Sequence, residues 1–384
     1  MSMTASVSIP RRAMAVMGAF YFFYFALVGI YIIYLPQMLK QSGFSATQVG
    51  ILYAAAPLMR FVLPFVFRRY VALDERIYRL ALSVMVGAGV LFWVSVGSFG
   101  LYLGVNLLYG AAMGAILPYV DAIALGVITR EHYGRVRLWG SIGFIAIALW
   151  LGQMLGGLEE TFGYLIAASG LTAATGLLIV RYDPHRDVPI DRDEERAFSL
   201  TRYWAFWGSA LLLQVSFGGF YNFFTIYETA HGFSQETISY LWSFGVLIEI
   251  AMLYFQGPLM RYDLLHLIGW TTLTAVARWL LLWRWPDSVA VAYLSQSLHA
   301  FNFALYYTAT IAYVYTLYTQ KKLAQQFYLG VTFGLGGSIG AALSGWIYDR
   351  YPEELFGFGA VVALGAWGMI GLHAYRQRRD DAVG

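Results

Sequence analysis

Few residues in this chain can do chemistry, and they stand alone in apolar surroundings. Glu249 lies in Leu247-Ile248-Glu249-Ile250-Ala251, with no charged neighbour in sequence. Arg60, Asp121, Arg137, Arg278 and His299 fall in or at the ends of other long apolar runs. An ionisable side chain inside a membrane span costs at least about 2.5–3.5 kcal/mol on insertion scales, so each is a functional candidate by default. Two carboxylates, three guanidiniums and one imidazole suit paired charges and a proton relay. Desolvation and a nearby cation move a carboxyl group's proton affinity in opposite directions. Switching between those surroundings is what a proton-coupled carrier needs, and Glu249 is the sharpest candidate for it. The alternative is a fixed ion pair between Glu249 and Arg278. Asp121 follows Pro118, which can turn the carboxylate inward, and it competes as an interfacial partner of Arg60 or Arg137. Arg137 offers a planar donor fork that fits a carboxylate or adjacent hydroxyls, or else enforces topology. Arg60 reads as a gating or structural charge. His299 can donate, accept or protonate, and Gln296 and Asn302 lie one turn to either side of it. With Gln214 and Asn222 they could line a polar cavity. Tyr24 and Trp242 are among the aromatics that fall deep in apolar runs, where they could face a planar ring.

These residues need a membrane scaffold to hold them. The chain of 384 residues is 59% hydrophobic and 12% charged, with a mean hydropathy of +0.59. That excludes an ordinary soluble enzyme, a nucleic-acid binder and a disordered chain. Apolar runs predict twelve spans, at 13–39, 47–67, 77–96, 99–125, 136–156, 161–180, 203–228, 236–257, 264–284, 288–317, 324–347 and 354–375. The first run is too long for a signal-peptide core and reads as a retained span. With both termini inside, 20 of the 25 Lys and Arg residues fall in cytoplasmic segments, three (Lys40, Arg284, Arg350) fall outside, and Arg60 and Arg278 lie within spans. That bias fits the positive-inside rule and a multi-pass protein of a bacterial inner membrane.

The chain divides into two halves, 1–181 and 203–384, around a polar linker at 182–202 that carries Asp191-Arg192-Asp193-Glu194-Glu195-Arg196. Gly43-Phe44-Ser45 and Gly232-Phe233-Ser234 repeat at an offset of 189, which also pairs Leu52 with Leu241 and Arg60 with Glu249. Two parallel six-span repeats place a substrate near the midplane between them. Small-xxx-small pairs (Gly100/Gly104, Gly110/Gly114, Gly152/Gly156, Gly330/Gly334, Gly336/Gly340) predict close helix packing. There is no cysteine, and no nucleotide-binding or metalloprotease motif occurs. Gly336-Gly337-Ser338-Ile339-Gly340 has the nucleophile-elbow spacing, but it lies in a membrane run where no strand-to-helix turn is possible. The expectation is a carrier and not an enzyme, with no cofactor and no metal, whose partners are a small solute, protons and the bilayer, working as a monomer.

The residues also resemble a known family. Tyr133-Gly134-Arg135-Val136-Arg137-Leu138-Trp139-Gly140-Ser141, Tyr240 to Glu249, Val276-Ala277-Arg278-Trp279 and Gln296 to His299 resemble major facilitator transporters of the phenylpropionic acid permease type, related to the lactose permease group. The resemblance implies an all-α membrane fold of twelve transmembrane helices in two pseudo-symmetric six-helix bundles. It implies proton coupling through Glu249, with His299 and Asp121 as the further proton-coupling candidates, and substrate binding through Arg137 together with Asp121, and through Arg278, with Asn302, Trp242 and Tyr24 added from their positions. Lactose permease has a glutamate where this chain has Asn302, so Glu249 or Asp121 would carry the proton. The implied substrate is an aromatic carboxylate such as 3-phenylpropionate. A sugar or nucleoside symporter, a drug-efflux antiporter and a non-transporting sensor are the alternatives.

Overall fold

A computed structural model describes residues 11–128, 130–183 and 200–383. The linker expected at 182–202 lies mostly outside the described residues. Among those residues the chain is helical and contains no strand. Its long helices are α1 (Arg11–Gln41), α2 (Ala46–Phe67), α3 (Glu75–Ser95), α4 (Phe99–Val127), α5 (His132–Met154), α6 (Leu158–Tyr182), α7 (Thr201–Ala230), α8 (Gln235–Phe255), α9 (Leu264–Arg284), α10 (289–317), α11 (Leu323–Arg350) and α12 (Pro352–Arg379). All but α10 are long and apolar enough to cross a membrane by composition alone. Helix α10 has the length, but Gln296, His299, Asn302 and its serines dilute its hydropathy. The polar face that lowers that signal is the face that builds the site.

Local chemistry explains the helix starts. Ser45 caps α2, accepting from the Gln48 backbone N–H at 3.2 Å while the Gln48 side chain accepts from the Ser45 N–H at 2.9 Å. Ser234 caps α8 in the same way, through the Thr237 N–H at 3.1 Å. The glycines two residues before these caps both take left-handed backbone, with φ of 104° at Gly43 and 86° at Gly232. The sequence repeat is therefore a structural repeat, and Leu52 and Leu241 are both fully buried.

Packing follows the same symmetry. In the first half α1 packs on α5 and α6, α2 on α4, and α3 on α4 and α6. Adding six to every label gives the packing of the second half. The result is two pseudo-symmetric six-helix bundles in an all-α membrane protein, joined chiefly by α2 against α11 and α5 against α8. The α2–α11 crossing needs glycine. A Cβ built on Gly50 would lie 2.6 Å from Ala341 O and 2.8 Å from Gly345 Cα. Gly110, Gly152, Gly334 and Gly340 likewise meet neighbouring helices. Gly100 and Gly104 do not, because nothing stands within 4 Å of either, so this pair makes no helix contact.

The start of α1 and the end of α12 lie at one face, because the twelve helices alternate in direction, and the halves close on each other at the opposite face. There Gln37 donates to Thr229 at 3.3 Å, Gln235 donates to Gln37 at 2.6 Å, and Asp349 accepts from Thr47 at 2.7 Å and from the Ala46 N–H at 3.3 Å. Ser239 of α8 fills the place where Gly152 of α5 has no side chain.

Candidate functional site

The second half holds a buried cation among neutral acceptors. Arg278 of α9 is 0% exposed. Its Nη1 lies 2.8 Å from His299 Nδ1 and donates to Asn302 Oδ1 at 3.3 Å, and its Nη2 donates to Gln296 Oε1 at 2.9 Å. Its guanidinium carbon sits 4.1 Å from the Phe220 ring centre and 4.7 Å from that of Trp279. All three acceptors come from α10, where a π-helical turn runs over Ala300–Leu305. Gln296 and His299 precede that turn and Asn302 lies within it, and the wider turn changes the angular step so that all three reach one guanidinium.

This arrangement fixes the histidine. A guanidinium only donates, so His299 Nδ1 must accept and the ring proton belongs on Nε2. That nitrogen lies 3.9 Å from Glu249 Oε2 of α8. The fixed Glu249–Arg278 ion pair entertained from sequence does not form; His299 stands between the two. Glu249 keeps 24% of its side chain exposed, whereas Arg278 keeps none, so Glu249 is the member of this chain of groups that water can reach.

The first half presents a second cluster. Asp121 Oδ1 of α4 accepts from the Tyr21 hydroxyl of α1 at 2.5 Å and from the Tyr133 hydroxyl of α5 at 3.2 Å. Arg137 of α5 stacks its guanidinium 4.0 Å over Phe25 and 5.2 Å from the Tyr21 ring centre. Its N–H groups have no hydrogen-bond partner among the described residues, and it forms no ion pair with Asp121. Its charge nonetheless acts on Asp121 within its own half and on Glu249 across the interface. Arg60 also has no ion pair among the described residues. It lies beside Gly114 of α4 and acts electrostatically on Tyr24, Tyr31 and Tyr109.

Aromatic residues close the space between the clusters. Trp242 of α8 faces Phe144 of α5 across the interface at 6.2 Å between ring centres and donates to Thr225 at 3.2 Å. Tyr24 is buried in the first half, with its hydroxyl 3.4 Å from Met113 O. Gln214 and Asn302 line a small cavity with Tyr306, Tyr307, Tyr328 and Phe333. Asn222 bonds back to its own helix at Gly218 O, 2.8 Å away, and leaves the set.

The chain matches the model of the MFS_1 like family over residues 14–358. It belongs to that family. This MFS_1 like protein is 27% identical over 373 residues to the "Probable 3-phenylpropionic acid transporter" of Escherichia coli (strain K12), covering 90% of this chain and 94% of that one. It is 23% identical to the "Maltose permease" of Geobacillus stearothermophilus, over 86% of this chain and 87% of that one. Among solved structures, the nucleoside transporter NupG superposes with a TM-score of 0.73 at 18% identity, over 93% of this chain and 98% of that chain. A POT family peptide transporter superposes with a TM-score of 0.75 at 13% identity, over 96% and 97%. These superpositions show the fold, and the relatives are transporters.

The structure thus groups Glu249, His299, Arg278, Gln296 and Asn302, and separately Asp121 and Arg137. Sequence reasoning missed the hydroxyl partners of Asp121, although Tyr133 opens the Tyr133–Ser141 stretch and Tyr21 lies in the first span. It also missed Glu228, which is 0% exposed with neither carboxyl oxygen hydrogen-bonded. The available signal was a glutamate in Thr225-Ile226-Tyr227-Glu228 with no cation beside it. It stood at the expected span end and so resembled an interfacial residue.

Proposed function

We propose that this chain is a secondary active transporter that carries a small aromatic carboxylate, of the 3-phenylpropionate kind, together with a proton by alternating access. The observation that carries this reading is the Arg137 guanidinium. One face is covered by Phe25, its N–H edges have no hydrogen-bond partner among the described residues, and its charge acts on Glu249 of the other half. A carboxylate is the ligand that fills such a fork with two charge-assisted hydrogen bonds. Phe25, only half-buried, offers ring surface for its apolar body, and Tyr24 and Trp242, buried in this form, would add theirs only when the helices part. The name of the Escherichia coli relative points to the same chemistry.

Coupling follows from electrostatics. Glu249 and a substrate carboxylate compete for the field of Arg137, and two anions that close disfavour joint ionisation. Substrate therefore binds when Glu249 is protonated. Loss of that proton towards the face bearing the termini restores the Glu249 anion, which displaces the substrate from Arg137. His299 Nε2–H is placed to stabilise that anion. Asp121, held by two tyrosine hydroxyls, keeps Arg137 oriented by charge. The same hydroxyl-reading carboxylate suits a sugar or nucleoside, which is the second reading. The Lys and Arg distribution supports cytoplasmic termini in a bacterial inner membrane, with the two bundles at 1–181 and 203–384 as the rocking bodies. Uptake into proteoliposomes under an inside-alkaline gradient tests the proposal, using 3-phenylpropionate, lactose and a nucleoside as the panel. Protonophore-sensitive accumulation of 3-phenylpropionate supports it, and accumulation of lactose or the nucleoside alone moves the assignment to the second reading.

A further inference from the structure

Glu228 has no place in that mechanism, yet it is the most isolated carboxyl group in the described structure. It lies two residues from the end of α7, at the face where the halves are shut. The next residue, Thr229, accepts from Gln37 of the other half, and Gln37 in turn accepts from Gln235. Charged and titratable groups of the surrounding elements are occupied elsewhere. His231, just after α7, faces Glu353 of α12 at 3.1 Å, Glu236 of α8 accepts from Tyr240 at 2.7 Å, and Lys40 of α1 lies over the Tyr348 ring of α11 at 5.9 Å. From the turn between α9 and α10, the like charge of Asp287 acts on Glu228, as Glu228 and Glu353 act on Tyr227. No cation among the described residues pairs with it. An ionised carboxylate that is fully buried with neither donor nor counter-charge among the described residues is too costly to sustain, and the neutral form is favoured.

We propose that Glu228 is a protonation site tied to this face: it holds a proton while α7 is closed on α1, and gives it to water when they part. On opening, the carboxyl O–H breaks heterolytically, the proton leaves to solvent and the carboxylate is hydrated. Opening of this face then releases one proton, so alkaline solution on that side favours the open form by up to ~tenfold per pH unit. This rests on the alternating-access reading above.

The absence of native cysteine makes the test direct. Ser239→Cys puts a single thiol where α8 abuts Gly152, reachable when this face opens. Its alkylation by a membrane-impermeant maleimide is followed against pH in the full-length protein in proteoliposomes, with Glu228 intact and with Glu228→Gln. The ratio of the two rates removes the thiol's own titration. The expected result is a ratio that rises with pH towards the ~tenfold-per-unit limit. Parallel profiles in the two backgrounds overturn the Glu228 assignment and leave alternating access standing. A thiol that reacts in neither background at any pH overturns both. Should Glu228→Gln not reach the membrane, Glu228→Ser must lose the dependence and Glu228→Asp must keep it; the reverse pattern refutes the proposal.

Discussion

Arg137→Lys is the substitution that separates a binding fork from a positive charge. The structure leaves the N–H edges of Arg137 without partners and covers one face with Phe25 at 4.0 Å. Lysine keeps the charge, so its field on Glu249 and Asp121 persists, and the ammonium can still lie against Phe25. What it cannot do is present two parallel N–H donors to one carboxylate. A hydrogen bond to a charged group contributes about 1.5–3 kcal/mol. Losing one of the two therefore weakens carboxylate binding by roughly 10- to 150-fold, at 1.4 kcal/mol per tenfold. The assay is equilibrium binding of 3-phenylpropionate to purified protein, with the melting temperature measured alongside. A Kd raised within that range at an unchanged melting temperature is expected. A Kd within twofold of the parent would show that Arg137 does not grip the solute and acts only through its charge.

Glu249→Gln removes the titrating group while keeping its shape. It should abolish uphill uptake yet spare solute binding and counterflow exchange; accumulation against a gradient in this variant would contradict the coupling role. Gly50→Val places a methyl-bearing Cβ 2.6 Å from Ala341 O at the α2–α11 crossing. Overpacking of about 1–3 kcal/mol should favour the open form of this face by roughly 5- to 150-fold, read as faster labelling of Ser239→Cys. Unchanged labelling would mean that this crossing is not part of the seal. Asp263 caps α9, and the backbone N–H of His266 holds its carboxyl below the usual aspartate range. A depressed folded-state value gives stability that is present above the ordinary aspartate range and lost as pH falls through the depressed value. Asp263→Ala should therefore cost about 1 kcal/mol at neutral pH and progressively less in acid, measured by thermal unfolding in detergent at both pH values. An equal loss at both would show that the carboxylate charge is not what caps the helix.

Much of this architecture is legible in the residues because lipid leaves so few options. A span needs continuous apolar length, and each expected span matches a helix to within a few residues. The repeat at Gly43 and Gly232 was readable because a left-handed turn before a serine cap demands that glycine in both copies. Other features depend on three-dimensional pairing that no local pattern encodes. The π-helical turns at Ile30–Tyr34, Ala300–Leu305 and Gly330–Gly336 leave no periodic signal, since one extra residue per turn does not alter a uniformly apolar run. The intramembrane charges were found by their cost, but their partners were not. A fixed pair of Arg278 with Glu249 was the alternative reading, and Arg278 instead rests on an imidazole and two side-chain amides. Glu228 escaped notice because an acidic residue near a span end normally reaches water, whereas this one is fully buried. Gly100 and Gly104 show the converse error, since a small-residue pair marks a helix surface that allows close contact without supplying the contact.

The central claim is that Arg137 of one half and Glu249 of the other couple a substrate carboxylate to a proton carried with it. Proteoliposomes holding the purified protein, with an imposed inside-alkaline gradient and external 3-phenylpropionate, test it most directly. Accumulation above equilibrium that collapses on adding a protonophore, and that is absent with Glu249→Gln, is the predicted result. Equilibration without accumulation, or accumulation indifferent to the protonophore, would contradict it.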